Sequence, residues 1–235
     1  MDKMTDQEVT SCRSALGKLN WVATQTRPDL SCDVSELSSL LHERKASLMP
    51  KINKVIRKAK KEPSQISIPC MSDLDKCKLV GFSDASFAIV SGTKSQGGYI
   101  IYVTDETNNF FPIVWQSQKV KRVVKSTHAA ETLALVDAAE ACVFFQNFLR
   151  ALIRTKEEWF PIICKTDSAA LHASVYASTQ ILDKRLRIET AILREMLSKN
   201  ELSAVEWVPT SEQCADALTK SGVISGKILK PSSVL

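Results

Sequence analysis

From Ala134 to Leu152 the residues Ala134, Ala138, Ala141, Phe145, Phe148 and Leu152 recur in alternating steps of four and three, which puts all six on one side of an α-helix. A stripe of that length needs an apolar layer to lie on, and the alanines at its start let that layer come close. The preceding residues supply it. Leu79–Ser83, Gly98–Val103 and Phe111–Trp115 are short strand-like runs, the latter two separated by the turn-rich Thr104-Asp105-Glu106-Thr107-Asn108-Asn109, and they read as a three-stranded meander. Downstream come a strand over Phe160–Thr166, a short helix over Ser168–Val175, a helix carrying Leu186, Leu193 and Leu197, and a strand over Ala204–Val208. Thr210-Ser211-Glu212-Gln213 is expected to open a final helix as a capping box. The order β-β-β-α-β-α-α-β-α predicts an α/β domain able to bury its own core.

The upstream residues follow another pattern. Residues 9–41 carry Leu16, Leu19, Val22 and Ala23, then a break at Thr26-Arg27-Pro28-Asp29, then Leu30, Val34, Leu37 and Leu41, which fits two helices joined by a proline turn. Between Pro50 and Pro63, Lys51, Lys54, Arg57, Lys58, Lys60 and Lys61 surround Ile52, Val55 and Ile56, either as a solvated helix face or as a nucleic-acid contact. We divide the chain into a helical segment (1–62), a linker (63–76), an α/β domain (77–222) and a tail (223–235). With 44% hydrophobic and 24% charged residues the chain is not intrinsically disordered, and a net charge of +5 suits a polyanionic partner. Seven scattered cysteines without a C-x-x-C pair read as reduced thiols. The polar N-terminus and the lack of a run near the length of a membrane span predict a cytoplasmic or nuclear protein with no membrane partner.

Four carboxylates stand where a fold of this order would gather them. One step back along the helical stripe from Ala134 lies Glu131, so an acid occupies the inward face. Asp84 and Asp167 end apolar strands, and Asp216 lies about one turn into the last helix among small residues. Each acid alone reads as a helix-start or surface charge. If they converge, their charges demand cations, and a set of hard oxygens without His or Cys selects Mg²⁺ or Mn²⁺ over Zn²⁺.

The segments Gly81-Phe82-Ser83-Asp84-Ala85-Ser86, Ser126-Thr127-His128-Ala129-Ala130-Glu131, Thr166-Asp167-Ser168-Ala169-Ala170-Leu171 and Trp207-Val208-Pro209-Thr210 through Ala215-Asp216-Ala217-Leu218-Thr219-Lys220 resemble, in order, the ribonuclease H domain of Ty1/copia-type retrotransposon Pol polyproteins. Leu16-Gly17-Lys18-Leu19-Asn20-Trp21 and Thr26-Arg27-Pro28-Asp29-Leu30-Ser31 resemble the end of the same family's reverse transcriptase. The resemblance implies a C-terminal fragment of such a polyprotein, with a ribonuclease H-like five-stranded mixed sheet flanked by helices. It further implies hydrolysis of the RNA strand of RNA–DNA hybrids by a quartet of Asp84, Glu131, Asp167 and Asp216. In that scheme two ions about 4 Å apart clamp the scissile phosphate. Asp84 would bridge both, Asp216 would hold the water-activating ion, and Glu131 and Asp167 the other. Reverse transcriptase or other Pol segments are further expected partners.

The departures from the family also carry information. No Asp-Asp pair of the polymerase type occurs, so no DNA synthesis is expected; residues 209–215 lack the histidine many relatives carry; and Lys184-Arg185-Leu186-Arg187 stands where a Lys-His is usual, so that either product release or proton shuttling differs or Arg187 takes over a phosphate contact. Lys119, Lys121, Arg122 and Lys125 read as a solvated loop or a phosphate-binding one, and His128 as a helix-start residue or a substrate contact. Ser86 and Ser168 follow their aspartates as turn caps or as contacts to ribose hydroxyls. His172 reads as a surface residue, and Trp115 and Trp207 as core. The competing reading is a catalytically silent retroelement remnant that binds nucleic acid or protein. An integrase-like enzyme fits less well, given the acid in the last helix.

Overall fold

The computed structural model describes residues 3–61, 66–73, 76–90, 94–107, 109–153, 160–177, 183–221 and 228. Three helices, α1 (Asp6–Gln25), α2 (Ser31–Leu40) and α3 (Leu48–Lys61), precede β1 (Lys78–Val90), β2 (Lys94–Thr104) and β3 (Phe110–Lys119). Then follow α4 (Thr127–Ile153), β4 (Ile162–Thr166), α5 (Ala169–Tyr176), α6 (Lys184–Ser198), β5 (Ala204–Trp207) and α7 (Asp216–Thr219).

The five strands form one sheet in the order β3-β2-β1-β4-β5. The β1–β2 and β2–β3 pairs are antiparallel, and β1–β4 and β4–β5 are parallel. This is the five-stranded mixed sheet flanked by helices that the resemblance implies. Its central strands are covered on both faces, which explains their unbroken apolar runs. Leu79, Ile101 and Val103 pack with Leu135, Ala139 and Cys142 of α4, whereas Val80, Phe82, Ile100 and Tyr102 pack with Val208, Cys214, Ala215 and Leu218. At Gly81 a Cβ would come within 2.8 Å of the Cys142 sulfur, so this glycine is what lets α4 lie close to β1.

The buried side of α4 differs from the expected stripe. Ala134 and Ala138 are buried, but Phe148 is 52% and Leu152 67% exposed. The inward face is turned towards Leu135, Ala139, Cys142 and Gln146. Gln146 escapes a count of apolar residues, yet it is buried because its Nε2 donates to the Phe160 carbonyl at 2.7 Å. By length and composition α4 could cross a membrane, contrary to the absence of such a run expected from sequence; here it covers the sheet.

The N-terminal helices have their own core of Leu16, Leu19, Ala23, Leu30, Val34, Leu37, Ile52 and Val55. The Thr-Arg-Pro-Asp break becomes a short 3-10 turn over Pro28–Leu30. There the buried Arg27 guanidinium grips both oxygens of Asp29, at 2.8 and 2.9 Å, and donates to the Ala59 carbonyl of α3. Trp115 Nε1 donates to the Ala23 carbonyl at 2.7 Å and Gln96 Nε2 to Ser35 Oγ at 3.0 Å, joining helices to sheet. Residue 62 of the expected helical segment, residues 63–65 and 74–75 of the expected linker, residue 222 of the expected α/β domain, and the expected tail apart from Ile228 lie outside the described residues. Ile228 itself is buried and its carbonyl accepts from Tyr102 Oη at 2.6 Å.

Candidate active site

The parallel register brings the first two acids together. Phe82 of β1 pairs with Lys165 of β4, and two further steps set Asp84 beside Asp167. β4 ends at Thr166, whereas β1 runs on to Val90, so Asp84 lies within its strand rather than at its end. The strand lost its partner on one side there, and that side is open to other groups.

On the other side β2 pairs Gly98 with Asp84. A Cβ at Gly98 would lie 2.6 Å from Leu218 Cβ, so the glycine is the clearance through which α7 reaches the sheet. Gln213 fixes the approach, its Nε2 donating to the Ser83 carbonyl at 3.0 Å and its Oε1 accepting from the Ala215 amide at 3.1 Å. Ser117 Oγ donates to the Leu218 carbonyl at 2.5 Å. Asp216 is therefore the first residue of α7, not one turn in. The expected capping box is absent as well: residues Thr210–Glu212 form a separate 3-10 turn, and the Thr210 hydroxyl donates to Asp167 Oδ2 at 2.9 Å. The carboxylate competes successfully for a hydroxyl that a helix start would have used.

One ligand oxygen each from Asp84, Asp167 and Asp216 lies within 4.8 Å of the others, and Asp84 and Asp216 are buried. Glu131 faces the same group from the half-buried start of α4, bonded to Ser168, with Asp167 and Asp84 as its charged neighbours. Burial pushes the Asp84 carboxyl above its ordinary value; Lys220 and the Thr219 hydroxyl oppose that shift, while Asp216 and Asp167 reinforce it. Burial raises Glu131 too, against the Ser168 hydrogen bond and with the help of Asp167 and Asp84.

Thr219 and Lys220, which the sequence pattern gives no role, also contact the acids. The Lys220 ammonium lies 2.5 Å from Asp216 Oδ1 and 3.5 Å from Asp84 Oδ2. Thr219 Oγ1 donates to Asp84 Oδ2. The signal was available in the i, i+4 spacing of Asp216 and Lys220 on a helix.

The other expected contacts scatter. Ser86 is buried with its hydroxyl unpartnered, and Ser168 caps α5 by accepting from the Leu171 amide at 3.3 Å. Lys119 ends β3, while Lys121, Arg122 and Lys125 are exposed on the segment leading to α4, with Arg122 paired to Glu189 at 2.5 Å. His128 is half-buried and its pKa is lowered by burial; Arg187 is exposed on α6, and His172 lies against Tyr176. Trp115 is partly buried as expected, but Trp207 is 49% exposed. It is the last residue of the edge strand, and its Nε1 donates to the Asp167 carbonyl at 3.0 Å, so the indole lies beside the acids instead of in the core.

No protein-family model matches the chain. It is 28% identical over 223 residues to the retrovirus-related Pol polyprotein from transposon RE1 of Arabidopsis thaliana, which is 93% of this chain and 14% of the relative. The Pol polyprotein from transposon RE2 of the same plant is 27% identical over 213 residues, 90% of this chain. The chain thus spans about 14% of the length of these curated relatives. Among solved structures, RNase H1 from the halophilic archaeon Halobacterium salinarum NRC-1 aligns with a TM-score of 0.43 at 17% identity, covering 64% of this chain and 97% of that one. LC11-RNase H1 in complex with RNA/DNA hybrid aligns with a TM-score of 0.44 at 16% identity, covering 60% and 94%. The resemblance runs along nearly the whole chain, which is similar in sequence to the retrovirus-related Pol polyproteins of Arabidopsis transposons.

Proposed function

We propose that the chain is a ribonuclease H-type endonuclease that hydrolyses the RNA strand of RNA–DNA hybrids with divalent metal, Mg²⁺ or Mn²⁺. The observation that carries this reading is the cluster of Asp84 of β1, Asp167 just past β4 and Asp216 of α7, with Glu131 of α4 a charged neighbour of Asp167 and Asp84. The donor set fits a hard cation, because every offered ligand is a carboxylate oxygen. The cluster also draws a cation from its own chain, in the Lys220 ammonium. Asp84, Asp167 and Asp216 would hold metal, with Glu131 completing the set. Bound there, metal would activate water and stabilise the charge developing on the phosphate.

The residues of the chain prepare that site. Thr219 orients Asp84, Thr210 orients Asp167, and Ser168 orients Glu131. The exposed Trp207 offers a sugar or base a face next to Asp167, and Lys121, Arg122 and Lys125 offer phosphates a charged approach. The same reading takes residues 77–222 as the nuclease unit and residues 1–62 as a helical unit packed against it. Reverse transcriptase and other Pol segments remain proposed partners.

The test is cleavage of end-labelled RNA–DNA hybrid, double-stranded RNA and double-stranded DNA, each with Mg²⁺, Mn²⁺ or excess chelator. Metal-dependent cutting of the hybrid alone, leaving 5′-phosphates on the RNA fragments, is expected. Binding of the hybrid without cutting in either metal would favour the silent-remnant reading.

A further inference from the structure

Lys220 is the part of the site that sequence reasoning left unused, and its geometry sets a conflict. A divalent cation such as Mg²⁺ needs carboxylate oxygens at about 2.0–2.1 Å. The Lys220 Nζ already lies 2.5 Å from Asp216 Oδ1 and 3.5 Å from Asp84 Oδ2. An ammonium and a metal ion drawn to the same oxygens lie close enough to repel each other strongly in a half-buried site. The repulsion favours one leaving.

Burial decides which. The side chains of Asp84 and Asp216 are 4% and 9% exposed, whereas that of Lys220 is 41% exposed. The acids are fixed in strand and helix, and Asp84 is further held by Thr219. The Lys220 backbone is held independently of its side chain, its amide donating to the Asp216 carbonyl at 3.0 Å. Its neighbour Ser221 donates to Glu36 of α2 at 3.1 Å. The flexible four-carbon stem can carry the charge outward without moving either anchor.

We propose that Lys220 is an intramolecular counter-ion of the acidic site, a positioning residue that holds Asp84 and Asp216 together without metal and that divalent metal must displace to bind. The proposal rests on the metal-site reading above. In the metal-free protein the ammonium offsets part of the repulsion among four carboxylates and keeps α7 seated against β1. When metal enters, the same charge becomes a competitor, so the site binds metal more weakly than its four acids alone would. Linkage makes the two effects reciprocal.

The experiment measures Mn²⁺ binding by calorimetry, together with the metal-free melting temperature, for wild type, Lys220→Met and Lys220→Arg. Lys220→Met should melt lower without metal and bind Mn²⁺ more tightly, on the order of tenfold, within the usual span for coupled sites. Lys220→Arg keeps the charge and should stay near wild type in both. In wild type, acylation of the Lys220 amine followed by mass spectrometry should speed up when Mn²⁺ is added, a readout that survives even if Lys220→Met does not fold. Wild type that binds Mn²⁺ while Lys220→Met binds it equally or more weakly overturns the counter-ion role and leaves the metal site standing. Slower or unchanged Lys220 acylation with bound Mn²⁺ overturns it as well. If neither protein binds Mn²⁺, the metal-site reading falls, and the proposal with it.

Discussion

Asp84 is the residue on which site and stability pull apart. Burial raises its pKa despite Lys220 and Thr219, so folding disfavours its charge relative to the unfolded chain. A carboxyl raised in the folded state costs stability above its folded pKa, and that cost fades as the pH falls through that value towards the ordinary 3.8. Metal-free Asp84→Asn should therefore be at least as stable as wild type at neutral pH, and any advantage should vanish on acidification. Paired thermal melts across that range check this, and an advantage that grows on acidification would contradict it. The acids stood out in the sequence because Glu131 continues the apolar stripe of α4 and the three aspartates follow apolar or small residues, although Asp84 lies within β1 and not at its end. The spacing of Asp216 and Lys220 offered a signal for their pairing, but the roles of Thr219 and Trp207 depend on how α7 and β5 sit against the acids, which the apolar pattern does not fix.

At the scale of elements, the order of strands and helices could be read because each apolar run is bounded by turn residues. Two boundaries could not. The inward face of α4 was placed only in part: Ala134 and Ala138 are buried and Ala141 and Phe145 pack against the core, but Phe148 and Leu152 are exposed, and buried Gln146 holds a position that an apolar count passes over. The capping box at Thr210 failed because Asp167, distant in sequence, takes the hydroxyl. Gly98 shows how one element's chemistry depends on another's clearance. Gly98→Ala would put its Cβ 2.6 Å from Leu218 Cβ and 3.2 Å from the Gln116 carbonyl oxygen, and backbone must yield. Overpacking of this kind costs about 1–3 kcal/mol. Urea unfolding should show that loss, and hybrid cleavage should fall further than stability does, because α7 carries Asp216. Full activity in a destabilised Gly98→Ala would mean that the seating of α7 is not critical to the site.

Across the whole molecule, the N-terminal helices and the sheet are tied by side chains from segments far apart in sequence. The proline break was legible as a turn, but nothing in its spacing indicated that Arg27 and Asp29 face inward or that Arg27 reaches the Ala59 carbonyl. Arg27→Ala leaves the Asp29 carboxylate buried without its partner, with Lys58 Nζ at 3.8 Å as the remaining cation. Breaking a buried pair in this way costs about 3–5 kcal/mol, which chemical denaturation should register. An Arg27→Ala protein as stable as wild type would mean that the pair does not hold α1 to α3.

Hybrid cleavage requires Asp84, Glu131, Asp167 and Asp216 to act as one metal site, and the most direct measurement is the cleavage rate of one labelled RNA–DNA hybrid in Mg²⁺ by wild type and by folded Asp84→Asn. Wild type should cut the RNA strand, and the variant should lose more than about a hundredfold, the upper span for losing even an outer-shell partner of a metal. Equal rates in the two proteins would contradict the assignment of the site.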